Sequence, residues 1–326
     1  MKREFGQFYT ITNPFTLRPF VEWLNTIPNI KNIDVIEPFA GSNNIPNMIP
    51  YLHWKCYDIY PNKDNKCPSL VIEKLDTISN FPKNFTVAIT NPPYLGKSSA
   101  KRMKMKYDYP EYDDLYKKCL EVMLKHCKYV AAIIPESFIT AKEFKDRLYS
   151  VISLPCKMFE DTACPVCLAL FNPELTNDFL IYSMNTFVGT HNNLLKYIPP
   201  KNNKIKIKLN DPNGIIGIHC IDNTKEASIF FTNGNNISSS KIKGSSRSIT
   251  RATILSPSVI NNNNLEEFIQ RCNNILYEFR KNTSDVFLTS FKCLREDNKY
   301  RRRLDYDIVK RIISEALKDS KSNKLF

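Results

Sequence analysis

Between Phe85 and Tyr94 the chain reads Phe-Thr-Val-Ala-Ile-Thr-Asn-Pro-Pro-Tyr, which sets an amide side chain, a stiff carbonyl and an aromatic ring side by side. The Asn91 side-chain oxygen and the Pro92 carbonyl are consecutive hydrogen-bond acceptors, and Tyr94 adds a flat face beside them. Prolines cannot donate to a β ladder, so a strand through this run stops at Asn91 and projects its last residues from the sheet's carboxyl edge. The run before it is apolar on both faces instead of alternating, the pattern of a buried parallel strand. Ligands of open α/β sheets sit at that edge. The stretch therefore marks a candidate active site.

The elements around it must form the sheet that holds it. Ile33–Glu37 is a short β-branched run that breaks into Pro38-Phe39-Ala40-Gly41-Ser42-Asn43-Asn44, a strand followed by a turn of small residues and a helix start. His53–Tyr57 predicts a second strand ending at Asp58, and residues 69–72 a short third one with Asp76 in the loop beyond. A helix carrying Phe20, Val21 and Leu24 on one face precedes these strands, stopped by Pro28. Residues 97–109 form a polar, basic loop. A helix over 111–127, a buried strand over Tyr129–Pro135 and a helix near 136–150 come next. Apolar runs at 155–160 and 165–171 predict a hairpin. Strands alternating with helices in this rhythm give an α/β fold, a doubly wound, mostly parallel sheet with an antiparallel end.

Near Pro173 the pattern changes to Asn, Ser and Lys with short alternating runs and no βαβ rhythm, which predicts two domains, 1–172 and 173–326. Leu304, Ile308, Ile312 and Leu317 predict an amphipathic helix at the C-terminal end. The charge is uneven as well. Residues 201–326 hold 23 Lys and Arg against 13 Asp and Glu, so they carry +10 of the chain's +13. Such a half suits a polyanion-binding surface or a solvated basic face. With 42% apolar and 24% charged residues the chain is globular, not disordered. No apolar run is long enough for a membrane span or a signal peptide, so a cytoplasmic protein without a membrane partner is expected. Ten cysteines spread over such a chain are expected as reduced thiols. Cys164 and Cys167 lack a second pair, so no metal site is expected.

Gly6–Thr10, Glu37–Ser42, Asp58, Asp76, Asn91–Tyr94 and Phe159, taken in order, resemble the motifs of S-adenosylmethionine-dependent DNA adenine-N6 methyltransferases. Cofactor motifs first, Asn-Pro-Pro-Tyr second and a long basic region last is similar to the gamma group of that family, of restriction–modification type. The resemblance covers roughly residues 1–172. It implies a Rossmann-like catalytic domain followed by a C-terminal basic target-recognition domain. It also implies S-adenosyl-L-methionine as cofactor, held by Phe8, Tyr9, Thr10, Glu37, Pro38, Ala40, Gly41, Asp58, Ile59, Asp76 and Asn91. In that assignment the methionine part lies over the Glu37–Ser42 turn. Asp58 accepts from the ribose hydroxyls, Asp76 accepts from the adenine amino group, and Ile59 packs on that ring. Asn43 stands where the family often has glycine, a replacement that Asn's tolerance of positive φ permits.

The same resemblance makes Asn91, Pro92, Pro93 and Tyr94 the catalytic residues. Asn91 Oδ1 and the Pro92 carbonyl would accept the two hydrogens of an adenine N6 amine, turning its lone pair toward the methyl donor. Tyr94 would stack on the extruded base, with Phe159 as the second ring. Pro155-Cys156 could instead suggest a cysteine nucleophile, but the amine-directed motif argues against it. Asn-Pro-Pro-Tyr also occurs in enzymes that methylate release-factor glutamines or exocyclic amines of ribosomal RNA. The motifs begin near residue 1 with no preceding substrate domain, and a basic half follows, which favours double-stranded DNA. Lys241, Lys243, Arg247, Arg251 and Arg301–Arg303 are the candidate DNA contacts. A monomer, with a cognate restriction endonuclease as partner, is the expected assembly. A non-catalytic DNA-binding module is the reading from a different class, opposed by the intact motifs.

Overall fold

A computed structural model describes residues 8–160, 162–244, 247–256, 260–261 and 263–322. Two compact units divide the chain between Thr190 and His191. In the first, α1 (Arg18–Asn25) precedes β1 (Asp34–Glu37), α2 (Asn44–Met48), β2 (His53–Asp58), β3 (Ile72–Lys74) and β4 (Val87–Thr90). After these come α3 (Lys97–Arg102), α4 (Leu115–His126), β5 (Tyr129–Pro135), β6 (Leu148–Leu154), β7 (Val166–Phe171), β8 (Leu180–Ser183) and β9 (Thr186–Thr190).

These strands make one mixed sheet in the order β3-β2-β1-β4-β5-β7-β6-β8-β9, mostly parallel, as the rhythm of the sequence predicts. Strand order reverses between β1 and β4, so the crevice that an α/β sheet offers a ligand opens where Glu37 and Asn91 leave the sheet. Val87, Ala88 and Ile89 are fully buried, as is Val130–Ile134 on β5. That burial on both faces explains the unalternating apolar runs. Asp114 caps α4 by accepting from the Tyr116 N–H, and Lys125 and His126 sit in its last turn, where the helix dipole favours cations. α1 buries Phe20, Trp23 and Leu24, and the Trp23 indole N–H donates to Asn172 Oδ1 at 2.8 Å.

Three expectations are corrected here. The helix near 136–150 is instead a single 3-10 turn, Glu136–Thr140, followed by strand β6. Phe144 takes a left-handed φ of 58°, which stops a helix, and Leu148–Leu154 pairs between β7 and β8. The hairpin therefore joins 148–154 to 166–171 instead of starting at 155. The break between units also lies beyond 172/173, because β8 runs parallel to β6 and carries β9 with it. Backbone pairing of that kind leaves no mark on composition.

The second unit contains α5 (His191–Leu195), β10 (Lys206–Leu209), β11 (Ile216–His219), β12 (Phe230–Asn233) and β13 (Ile249–Ser256). It continues with α6 (Leu265–Thr283), β14 (Thr289–Leu294), β15 (Tyr300–Arg303) and α7 (Tyr306–Ser322). An antiparallel sheet ordered β10-β13-β11-β12 and the separate pair β14-β15 replace the βαβ rhythm. Helix α6 has Glu266 and Glu267 in its first turn and Arg280 and Lys281 in its last, each matched to the helix dipole. It packs on α7 and β12, burying Phe268, Cys272, Leu276 and Phe279.

Candidate active site

Strands β1 and β4 lie side by side, so their last residues meet. The Thr90 hydroxyl donates to Glu37 Oε1 at 2.5 Å, and the Phe39 N–H donates to the same oxygen at 3.1 Å. Glu37 is only 1% exposed, and its other oxygen, Oε2, has no partner among the described residues. Burial pushes this carboxyl up to about 8, against the pull of its two donors. The turn beyond is held from β2: Asp58 accepts from the Gly41 N–H at 2.8 Å and from the Tyr60 N–H at 2.7 Å. Burial raises the Asp58 carboxyl above its usual range as well. Gly41 has a φ of +54°, and a Cβ there would stand 2.7 Å from the Tyr9 ring, so both conformation and space require glycine. Asn43 has a φ of 57°.

A cavity of about 290 Å³ opens over this turn. Phe8, Tyr9, Thr10, Glu37, Ala40, Gly41, Asp58, Ile59, Asp76, Asn91 and Pro93 all line it, so most of the sequence-predicted residues are brought together. Pro38 and Pro92 do not line it; the Pro38 carbonyl accepts from the Thr77 hydroxyl at 2.8 Å. Asp76 caps its own turn, accepting from the Ile78 and Ser79 N–H groups and the Ser79 hydroxyl. Gly6 and Gln7 lie outside the described residues.

Asn44, Thr77 and Tyr109 also line the cavity, and Thr90 holds Glu37 from beneath; the sequence reading singled out none of them. The doubled Asn43-Asn44 was a usable signal for the first. Nothing in the local sequence marks Tyr109, which reaches the cavity from fifteen residues past Tyr94.

Three buried polar atoms in the cavity lining have no partner among the described residues: Thr10 Oγ1, Glu37 Oε2 and Asn44 Oδ1. Asn44 Nδ2 donates to the Thr10 carbonyl at 2.8 Å, which links two of them. Buried polar atoms are rarely left unpaired, so this trio marks a place prepared for a donor-rich ligand. The trio fits the ammonium end of an amino-acid group such as the methionine part of S-adenosylmethionine. Ile59, half-exposed at its lip, fits the apolar ring of such a cofactor.

At the Asn91 corner both ends of the amide are engaged. Nδ2 donates to the Phe8 carbonyl at 2.5 Å, and Oδ1 accepts from the Tyr94 hydroxyl at 2.5 Å. That hydroxyl also lies 2.6 Å from the Ile133 carbonyl, and burial pushes it well above the usual phenol range. Tyr94 and Phe159 are both buried, with the Phe8 ring 5.8 Å from one and 5.9 Å from the other. The segment carrying Phe8 is held from the far side, since Thr10 bridges Phe159 and the Ile11 N–H donates to the Met158 carbonyl at 2.9 Å.

The basic residues of the second unit divide into two kinds. Lys241, Lys243 and Arg247 are exposed. Arg251 donates through Nε to the Gly214 carbonyl, Arg301 donates to the Asp222 carbonyl, and Arg303 pairs with Asp305 at 3.0 Å. Arg302 points inward and donates to Ser290, because alternation along β15 puts it on the same face as buried Tyr300. Among the described residues no cluster of His, Cys, Asp and Glu could hold a metal, and no helix is long and apolar enough to cross a membrane. All ten cysteines are free thiols.

Comparison with known proteins adds to this geometry. No match was found among curated proteins. Solved structures similar to the chain include the methyltransferase subunit of a type I restriction-modification system from Streptococcus thermophilus, at 16% identity and a TM-score of 0.36, covering 58% of this chain and 52% of that one. Another is the type IIG restriction endonuclease BpuSI, at 14% identity and a TM-score of 0.40, covering 60% of this chain and 29% of that one. A third is DrdV in complex with DNA, at 16% identity and a TM-score of 0.43, covering 57% and 28%. The chain thus spans about half the length of the first of these, and less of the others. Residues 25–152 match the model of the Eco57I restriction-modification methylase family. That segment contains Glu37, Asp58, Asp76 and Asn91–Tyr94, so over residues 25–152 the family match falls on the same residues that carry the sequence-based resemblance.

Proposed function

We propose that the chain transfers a methyl group from S-adenosylmethionine to N6 of an adenine extruded from duplex DNA. The observation that carries this reading is the meeting of two features in one cleft. The Asn-Pro-Pro-Tyr corner leaves β4 beside a turn whose buried Glu37 carboxyl keeps one oxygen unpaired. When bound, the cofactor supplies a methyl on a sulfonium, already activated for displacement. Glu37, Thr10 and Asn44 would hold its ammonium end, Asp58 its ribose, and Ile59 and Tyr109 its base. Approach of a cation to Glu37 favours the carboxylate over the acid, so cofactor binding is expected to release a proton near neutral pH.

On the substrate side, Asn91 Oδ1 and the Pro92 carbonyl accept the two N6 hydrogens and draw that nitrogen toward a tetrahedral form. N6 would gain its bond to the methyl carbon as that carbon's bond to the donor breaks, the electron pair staying with the donor, and the surplus N6 proton, held at Asn91 Oδ1 or the Pro92 carbonyl by a hydrogen bond, would pass to water. Asn91 Oδ1 now accepts from Tyr94, and the rings of Phe8, Tyr94 and Phe159 pack in a triangle, with Tyr94 and Phe159 edge-to-face at 6.1 Å. Base entry therefore requires that this ring cluster open and that the Tyr94 hydroxyl give up Asn91. The exposed Lys241, Lys243 and Arg247 remain the candidate phosphate contacts of the second unit. A restriction endonuclease acting on the same DNA is the partner this reading implies.

Incubation with methyl-labelled cofactor and AT-rich duplex DNA tests the reading. Label recovered as N6-methyladenine is expected, and Asn91→Ala should lose it by about 10²-fold or more while still binding cofactor. Label on a release factor or on ribosomal RNA, with none on DNA, would replace this substrate by one of the other planar amines. Binding of DNA without transfer would leave only a binding module.

A further inference from the structure

The uneven charge of the sequence points to the C-terminal half as the polyanion-binding surface, yet most arginines there are already engaged. Arg251, Arg280, Arg295, Arg301, Arg302, Arg303 and Arg311 each donate to a carboxylate, carbonyl or hydroxyl of the same unit. A different stretch holds three cations that have no acidic partner among the described residues. From Lys97 to Lys106 the chain carries Lys97, Lys101, Arg102, Lys104 and Lys106 and no acid. All five are exposed. Lys106 pairs with Asp108 at 2.7 Å, and Lys97 Nζ donates to the Pro110 carbonyl at 3.1 Å. Among the described residues Lys101, Arg102 and Lys104 have no acidic partner.

This loop is fixed to the catalytic corner at both ends. It starts two residues after buried Tyr94 and Leu95, where the Leu95 N–H donates to Asp114 Oδ1 and the Lys97 N–H to the Asp113 carbonyl. Fully buried Ala100 anchors α3, and the Met105 N–H donates back to the Ala100 carbonyl, closing the turn that presents the cations. Lys104 sits in the left-handed region at φ 56°, a conformation a non-glycine residue adopts rarely. The chain then returns through Tyr109 and Leu115, both of which line the cavity together with Pro93. The free cations therefore stand on a rim whose two feet are in the cleft. Lysine and arginine without acidic partners, held on a built turn, gain most from a polyanion with evenly spaced charges.

Resting on the DNA reading above, we propose that Lys101, Arg102 and Lys104 grip the backbone phosphates flanking the target nucleotide, so that the catalytic unit itself contributes to holding the duplex. The contact is to backbone and carries no sequence information. It would hold the strand on either side of the extruded base while the base occupies the Asn91 corner.

The test is a salt titration of duplex affinity on the full chain, comparing the wild type with the triple variant Lys101→Gln, Arg102→Gln, Lys104→Gln. Each phosphate contact contributes about 0.9 to the slope of log affinity against log salt, so the triple variant should flatten that slope by about 2 to 3. Affinity for S-adenosylmethionine, measured separately by calorimetry, should stay unchanged and reports that the unit is folded. Arg102→Lys alone should keep the slope. A triple variant that binds cofactor normally and keeps the wild-type slope overturns the proposal and leaves the DNA reading standing. A wild type that binds no duplex even at low salt overturns the DNA reading, and the proposal with it. Steep salt-dependent binding to an RNA stem–loop and none to duplex DNA counts against both in favour of an RNA substrate.

Discussion

Each unit buries a carboxylate, and the two are treated in opposite ways. Asp222 in the second unit is fully buried, yet every direction around it is filled. Arg280 reaches both of its oxygens at 3.1 and 3.2 Å, Arg295 donates at 2.9 Å, and the Ser228 and Arg302 N–H groups complete the shell. Burial works against the charge, but these donors outweigh it and hold the carboxyl below its usual range. Glu37 in the first unit is equally buried and receives only two donors, both on one oxygen, so burial prevails and the group is raised to about 8. A buried acid whose hydrogen bonds are complete holds structure together. One left half-satisfied at the lining of a cavity is prepared for something that arrives later.

The largest expected effect comes from breaking the complete shell. Asp222→Ala leaves Arg280 and Arg295 buried without that partner and should destabilise the second unit by about 3–5 kcal/mol in denaturant unfolding. A loss below about 1 kcal/mol would mean that Asp285 and Asp297, which also pair with these arginines, suffice alone.

Glu37→Gln should act in the reverse direction on the ligand-free protein. In the folded state Glu37 keeps its proton up to about pH 8, whereas the unfolded chain loses it near 4.5. Between those values the folded state binds more protons, so this group's contribution to stability falls as pH rises from 4.5 to 8 and is level above. The amide cannot ionise. Glu37→Gln is therefore expected to flatten that slope and to raise the melting temperature of the first unit at pH 8 relative to the wild type. The same change should weaken cofactor binding by about tenfold. An unchanged pH slope would show that Glu37 is not protonated in the folded protein. For Asp222 the sign is opposite: its lowered value gives stability that is present above about pH 3.8 and is lost as pH falls through the folded value. The two units should thus respond to pH in opposite senses, which a calorimetric series from pH 3 to 8 would reveal.

Gly41→Ala is the smallest of these effects. The left-handed φ costs about 1–2 kcal/mol for a residue with a Cβ, and that Cβ must displace the Tyr9 ring. Cofactor affinity should fall together with stability. A variant with normal stability and normal affinity would show that Tyr9 gives way freely and does not shape the cavity.

Much of this was legible in the sequence because the physics is local. Proline at 92 and 93 ends β4 wherever the chain lies, and unbroken apolar runs announced β4 and β5 as central strands. The amphipathic helix predicted from Ile308, Ile312 and Leu317 is α7, although Leu304 falls before its start. Where the reading failed, a distant partner decided. Residues 136–150 have a helical composition, but β6 forms because β7 offers an edge. Arg301–Arg303 read as one basic cluster until strand alternation turned Arg302 inward and Asp222 claimed Arg301 through its carbonyl.

The sequence by itself determined which chemistry is present: an amide and a carbonyl at a proline-locked strand end, acids at the ends of β1 and β2, and a match to the methylase family over 25–152. Those are properties of residue type and short-range backbone geometry, which travel with the chain. Only the tertiary structure decided that Glu37 keeps an oxygen free while Asp222 does not, and that Phe8, Tyr94 and Phe159 pack against one another. It also decided which cations are already taken. Burial and pairing depend on what the rest of the chain brings to a position, and no window of sequence contains that.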